Sequence, residues 1–471
     1  MALTRIRAYC EMNHYTCRKR GGAMKTADAL KRGVRWGLGH GLPGNLMRVA
    51  ARKGDFQGRM TTEAERVSTQ ELLPLIEEIR AEGTMAKWRL GHITVDHEAV
   101  RETLSSNDVH AGFVFEDGTV LGRLGRWAKR EGLNPVEAPS LLAVEPPDHT
   151  RYRKLVTRVF TARAVEKLRV RTEEIAASLL DEIPAGRPVD LVESYCAKLP
   201  VEVISEILGV PEKDRALVLK LGTLAAPSLD MGLSWHDFRE VEDSLDEFDA
   251  WLGEHLAELR RHPGDDLFSQ LVRASDDGAH LTERELKATA GLVLAAGFET
   301  TVNLLGNGIR LLDEHPDQLQ LLRDEPDRWA NAVEEVLRFD PPVLLTGRQV
   351  SRDTEIVGQR LKEAELVITV LAGANRDPEV FDDPNRFDVR RPNARDHVSF
   401  SAGRHYCLGS SLARMEGEVA LRAFYDRFGT VRLLPGAERR GTRILRGWEN
   451  LPAELSLSDR AEAPEVVRTA S

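Results

Sequence analysis

Phe400-Ser401-Ala402-Gly403-Arg404-His405-Tyr406-Cys407-Leu408-Gly409 places one cysteine behind a glycine-bearing loop and beside cationic residues. It stands at the mouth of a predicted helix running from Leu408 to about Phe424. An isolated, apolar-flanked cysteine is ordinarily a buried small hydrophobe. This one differs because the first turn of the following helix offers free backbone N–H groups and a positive dipole end, which favour a thiolate. Gly403 and Gly409 would let backbone come close to a flat ligand. The pattern is that of a chain holding a thiolate ligand for a haem iron.

A second segment supplies an opposing face. Thr282 followed by Glu285 forms a capping-box signature, and the spacing predicts a helix over residues 283 to about 314, before Pro316. At 1.5 Å per residue it would run roughly 48 Å, enough to cross a domain. Its middle reads Ala296-Gly297-Phe298-Glu299-Thr300-Thr301, a carboxylate and hydroxyls within an apolar run. Gly297 costs about 1 kcal/mol there relative to alanine, which is expected if the helix must thin beside a ligand. Read without context, Thr300 would simply bond back to a carbonyl one turn earlier. Further on, Glu335-Val336-Leu337-Arg338 puts an acid and a base on one helical face before Pro341-Pro342.

Taken together, these segments resemble the cytochromes P-450, whose loop pattern is Phe-Gly-x-Gly-x-His-x-Cys-x-Gly. Ser401 stands where that pattern has its first glycine. The chain is identified as a member of that superfamily from about Met24 to around Leu455. Within it, the chain is most similar to soluble actinobacterial members, particularly the mycobacterial group numbered 140. The resemblance implies a mainly α fold with a minor β part, haem lying between the long helix and the helix after the cysteine loop. It implies Cys407 as the metal ligand, with Phe400, Gly403, His405, Gly409, Ala296 and Gly297 lining the cofactor. His149 and Arg153 (in His149-Thr150-Arg151-Tyr152-Arg153), His405 and Arg348 would hold the haem propionates. Glu299 and Thr300 would be catalytic, delivering protons to dioxygen. Glu335 and Arg338, joined by Arg386, would form an enclosed structural network. Leu292, Val293, Val343, Leu344 and Leu451 would wall the substrate pocket, with a mobile lid in the 222–240 region.

The implied reaction inserts one atom of O2 into an apolar substrate, with electrons from NAD(P)H through a ferredoxin reductase and a ferredoxin. A peroxide-driven catalyst or a haem sensor would also keep Cys407, but neither would need the Glu299–Thr300 pair.

Composition agrees. The 471 residues are 42% apolar, ample for one large core, and no linker or repeat divides residues 70 to 455. The expected organisation is a disordered or alternative-start extension over residues 1–23, one domain over 24–460 and a flexible tail over 461–471. Cys10, Cys17, Cys196 and Cys407 show neither metal-finger spacing nor a Cys-x-x-Cys-His, so the haem would be noncovalent haem b in a reducing cytoplasm. No secretory signal and no apolar run of about 18 residues is present, so no transmembrane segment is expected.

Charge is uneven. Residues 1–60 hold thirteen Lys and Arg against three Asp and Glu, while the whole chain carries −10, leaving about −20 on the remainder. Lys25 to Lys53 mixes basic and apolar residues and could lie on a membrane surface or cover the domain; Gly37, Gly39, Gly41, Pro43 and Gly44 are expected to interrupt a long amphipathic helix, which favours coverage. From Arg151 to Arg171 eight basic residues face only Glu166, a surface on which an acidic ferredoxin would dock. The acidic total and the absence of a recognition motif argue against nucleic acid.

Overall fold

The computed structural model describes residues 26–89, 91–112, 119–274 and 281–458; the expected extension (1–23) and tail (461–471) lie outside these. The fold is mainly helical and is organised around the helix Glu283–Glu314, whose bounds agree with the capping signal at Thr282 and Glu285. By length and apolarity this helix would suffice to cross a bilayer, but 72% of its apolar window is buried inside the protein. It is a core element. Leu304, Leu305 and Ile309 have almost no exposed surface.

Its C-terminal half docks by close backbone approach. A Cβ on Gly308 would lie 2.8 Å from Leu421, and one on Gly417 would lie 3.1 Å from Leu304, so the helix Ser410–Arg427 packs directly across it. Asn307 donates to the carbonyl oxygens of Asp340 (3.0 Å) and Arg446 (3.3 Å), tying the same half to the chain's end.

A five-stranded sheet lies to one side, in the order Ala86–Trp88, Gly91–Thr94, Leu366–Thr369, Thr346–Val350, Val109–Ala111. Its register sets Ala111 opposite Arg348. A separate apolar cluster, including Ile76, Ile93, Leu344 and Ile368, fills the space beneath it. A three-stranded sheet, Val189–Asp190, Pro452–Leu457 and Phe428–Leu433, closes the opposite flank.

Two expectations are corrected here. Residues 26–51 are helical throughout: Thr26–Trp36, a widened π turn at Gly37–Gly41, then Leu42–Ala51. The glycines do not break it because packing supports them. A Cβ on Gly44 would lie 2.9 Å from Gly232 Cα, and one on Gly41 would lie 3.1 Å from the Trp36 ring. The widened turn falls just before Pro43, where the regular hydrogen-bond ladder is interrupted in any case. The 222–240 region, expected as a mobile lid, is tied down: Trp36 donates to the Leu233 carbonyl oxygen (3.0 Å), and Asp230 accepts from the amides of Arg443 and Ile444 (both 2.9 Å).

A third correction concerns the buried ionic network. Glu335 and Arg338 have no exposed side-chain surface and form a paired contact, Nε to Oε2 at 2.7 Å and Nη2 to Oε1 at 2.8 Å. The further arginine on Glu335 is Arg391, 3.2 Å away, and not Arg386. Arg386 is exposed and contributes only its carbonyl oxygen, which accepts from Arg391 (2.9 Å) and Arg338 (3.2 Å). Removing one partner of a buried ionic network costs about 3–5 kcal/mol, whereas exposed side chains are nearly neutral. Arg391→Ala is therefore expected to lower unfolding free energy by roughly 3 kcal/mol and Arg386→Ala by less than about 0.5, read from urea denaturation.

Candidate functional site

The cysteine loop is closed by its own backbone. The Cys407 amide donates to the Phe400 carbonyl oxygen (2.9 Å), around a short 3-10 turn at Gly403–His405. Two residues inside the loop have positive φ, Ser401 at 64° and Gly403 at 65°. Gly403 is required for closeness to protein rather than to a cofactor: a Cβ there would lie 2.6 Å from the Leu104 carbonyl oxygen. Gly409 is different, since a Cβ on it would meet nothing within 4 Å. Backbone at Gly409 therefore borders open space, as expected for a residue against a flat ligand.

The Cys407 thiol is pushed up in pKa by burial, and the Gly409 amide, Arg153 and Arg414 oppose that shift. A coordinating metal ion deprotonates a thiol outright, so the group is placed to become a ligand. Arg153 donates to the carbonyl oxygen of neighbouring Tyr406 (2.8 Å). Arg414 lies 4.5 Å from the centre of the Phe400 ring and donates to Glu334 (2.8 Å). Glu334 also meets His397 (3.1 Å); burial raises its pKa, but His397 and Arg414 outweigh that and hold it down to about 2.

Cations gather around a single carboxylate, Glu145. It accepts from Arg404, from His405 (3.2 Å) and from the Ala111 amide (2.7 Å). His149 lies against His405 with ring centres 4.5 Å apart, and its Nε2 is buried without a hydrogen-bond partner. Burial, with His405 and Arg153 nearby, lowers its pKa to about 4. Arg348 is buried and, among the described residues, bonds only to Thr346 and the Gly347 carbonyl oxygen, and burial brings its pKa down to about 10. Thus two guanidinium groups, Arg348 and Arg404, share one acid, with the His149 and His405 rings beside them. Buried charge of one sign needs counter-charge, so the cleft fits the two carboxylates of a haem edge.

Across the site, Ala296 is exposed in the middle of an otherwise buried helix, with Thr300 one turn on and Leu292 one turn back, both half-buried. Thr300 Oγ1 donates to the Ala296 carbonyl oxygen at 3.3 Å, the ordinary helical bond. Glu299 points the other way, buried and ion-paired with Arg440. Gly297 does not line this space: its missing Cβ accommodates Ile204, which would be 2.8 Å away. Among the expected pocket walls, Val343 is half-buried, while Val293, Leu344 and Leu451 belong to apolar clusters. Leu344 and Leu451 have no exposed surface, so they border no open cavity.

Sequence reasoning missed Glu145, Glu334, Arg391, Arg404 and Arg440 as site residues. Each acts through a contact distant along the chain, and neither spacing nor charge run marks it.

Ser401 holds a left-handed conformation that an L side chain adopts at a cost of about 1 kcal/mol, and its Oγ is buried without a partner. Ser401→Gly is expected to raise stability by about 1 kcal/mol in thermal denaturation without altering cysteine ligation.

Comparison with known proteins agrees with this geometry. The cytochrome P450 family profile matches residues 224–439. A putative cytochrome P450 140 of Mycobacterium tuberculosis is 50% identical over 435 residues, covering 90% of this chain and 98% of that protein. The 6-deoxyerythronolide B hydroxylase of Saccharopolyspora erythraea is 42% identical over 315 residues, covering 66% and 76%. The crystal structure of P450BioI in complex with hexadec-9Z-enoic acid ligated acyl carrier protein superimposes with a TM-score of 0.76 at 30% identity, covering 82% and 99%.

Proposed function

The chain belongs to the cytochrome P450 family and is a cytochrome P450 monooxygenase, and from that premise we propose that it oxygenates an apolar organic substrate in the cytoplasm, drawing electrons from NAD(P)H through a ferredoxin reductase and a ferredoxin. The family's cofactor is haem and its co-substrate is O2. The observation that carries the residue assignment is the pairing of Cys407, flanked by Arg153 and Arg414, with a cluster in which Arg348 and Arg404 share the single carboxylate of Glu145 and His149 Nε2 has no hydrogen-bond partner among the described residues.

In this reading Cys407 Sγ would hold the haem iron, with the Gly409 amide, Arg153 and Arg414 favouring its ionised form. His149, Arg348 and His405 would bind the propionates, as would Arg153 from beside the Tyr406 carbonyl oxygen. Haem, when bound, would supply the thiolate-ligated iron and the redox chemistry for activating O2. Thr300 Oγ holds a proton at the open face beside Ala296, exchanging its bond to the Ala296 carbonyl oxygen for one to a water. Glu299 replenishes that proton from the interior side, where Arg440 fixes its carboxylate.

An apolar substrate is supported by Leu292 and Ala296 on the open helical face and by half-buried Val343. The compounds named for two similar proteins, 6-deoxyerythronolide B and hexadec-9Z-enoic acid, are taken to point the same way. For the electron donor, Arg151, Arg169 and Arg171 are committed to Glu285, Glu418 and Glu206, respectively. Lys154, Arg158, Arg163 and Lys167 are exposed and remain to meet an acidic ferredoxin.

The absorption spectrum of the reduced protein with carbon monoxide tests the reading. The expected outcome is a Soret band shifted strongly to the red, lost in Cys407→Ser; a globin-like band from folded protein would refute it. Thr300→Ala should load haem normally, while product formed per O2 consumed falls about tenfold or more. Tight coupling in that variant would refute the role of Thr300.

A further inference from the structure

Of the thirteen large apolar side chains that are exposed among the described residues, eight lie on two helical stretches, residues 26–51 and 120–128. On the first, Leu42, Leu46 and Val49 recur at i, i+4 and i+7, forming an outward stripe that Leu30 joins towards the N-terminal end. On the second, Val120, Leu121, Leu124 and Trp127 follow the same spacing. The two stretches are contiguous on the surface: Lys31 Nζ lies 5.9 Å from the centre of the Trp127 ring, and Arg35 donates to the Ala128 carbonyl oxygen at 2.8 Å.

Charge around these stripes is of one sign. Within residues 26–53 and 119–130 the only acidic residue is Asp28. Three acids of the adjoining helix Trp235–Arg261 are paired with this face, since Arg32 meets Asp243 (2.6 Å) and Asp246 (2.7 Å), and Arg35 and Arg130 meet Glu242. Facing outward around the stripes are Arg48, Arg52, Lys53, Arg123 and Lys129. An apolar face of Leu, Val and Trp rimmed by Lys and Arg, on a chain whose remaining surface is strongly negative, matches one partner chemistry. That partner is an anionic lipid surface, into which such side chains sink by about 5–10 Å while the cations stay among the headgroups.

We propose that residues 26–53 and 119–130 together form a peripheral docking face for anionic membrane lipid. The negative remainder of the protein is repelled by the same surface, so the charge asymmetry also sets orientation. The widened turn at Gly37–Gly41 lets one helical stretch contact the domain through Trp36 and Gly44 while keeping Leu30, Leu42, Leu46 and Val49 outward. A protein partner of this chemistry would be a second copy of the chain, burying stripe against stripe, yet the rims would then set cation against cation.

The test is co-sedimentation of the full-length holoprotein with vesicles of phosphatidylcholine alone and with about 30% phosphatidylglycerol, at roughly 0.1 M and 1 M salt. Binding is expected only to the anionic vesicles, weakening with salt. Affinity should fall about tenfold in Leu124→Glu/Trp127→Glu and again in Leu46→Glu/Val49→Glu, with the reduced carbon monoxide spectrum unchanged. Absence of vesicle binding by the parent, or equal binding by both variants, overturns the proposal. So does a lipid-free dimer, seen by sedimentation equilibrium, that the same substitutions dissolve. The readout is lipid partition, so it stands or falls separately from turnover.

Discussion

A guanidinium with no exposed surface must find all its partners inside the protein, and Arg338 does so by reaching three parts of the chain at once. It grips Glu335 on its own helix, the Pro384 and Arg386 carbonyl oxygens, and the Asn375 carbonyl oxygen at 2.8 Å. Asn375 passes the constraint on: its side chain donates to Ser399 Oγ and accepts from the Val398 amide, both at 2.8 Å, while Ser399 Oγ donates back to Leu337 at 2.6 Å. The residue after Ser399 is Phe400, which closes the cysteine loop. The position of Cys407 is thus set by a chain of buried polar bonds that begins at one ion pair, each of which would be expensive to leave unmade.

A second layer of support comes from Glu334, one residue before that ion pair. It holds His397 and Arg414, and Arg414 covers the Phe400 ring beside Cys407. Adjacent carboxylates on one helix therefore serve different ends. Glu335 turns to the interior network, and Glu334 to the outer side of the loop. The opposite edge of the site is built on a different principle, with several cations around Glu145 and too little negative charge among them.

Much of this was legible from local signals. The long helix declared itself through a cap whose geometry is local, the Glu335–Arg338 pair through a spacing that any helix enforces, and the cysteine loop through a run of ten residues. What was not legible depended on contacts across the chain. Arg391 rather than Arg386 completes the network because the loop between them folds so that one side chain turns inward, which residue identity does not encode. Gly297 was read as shaping the ligand face, yet its neighbour is Ile204. The run of glycines at 37–44 argued against a helix, and only Gly232 and Trp36, packed against it, explain why the helix survives. The Leu344 and Leu451 placements failed similarly, because apolar side chains near a site in sequence are claimed by whichever core reaches them first.

The contact between Gly44 and Gly232 is made backbone to backbone, with no side chain to soften it. The 222–240 segment and the helical stretch over residues 26–51 are consequently one mechanical body, further riveted by the Trp36 bond to the Leu233 carbonyl oxygen. Any movement of one has to carry the other with it, so a force or surface acting on residues 26–51 is passed to a part of the chain some two hundred positions later.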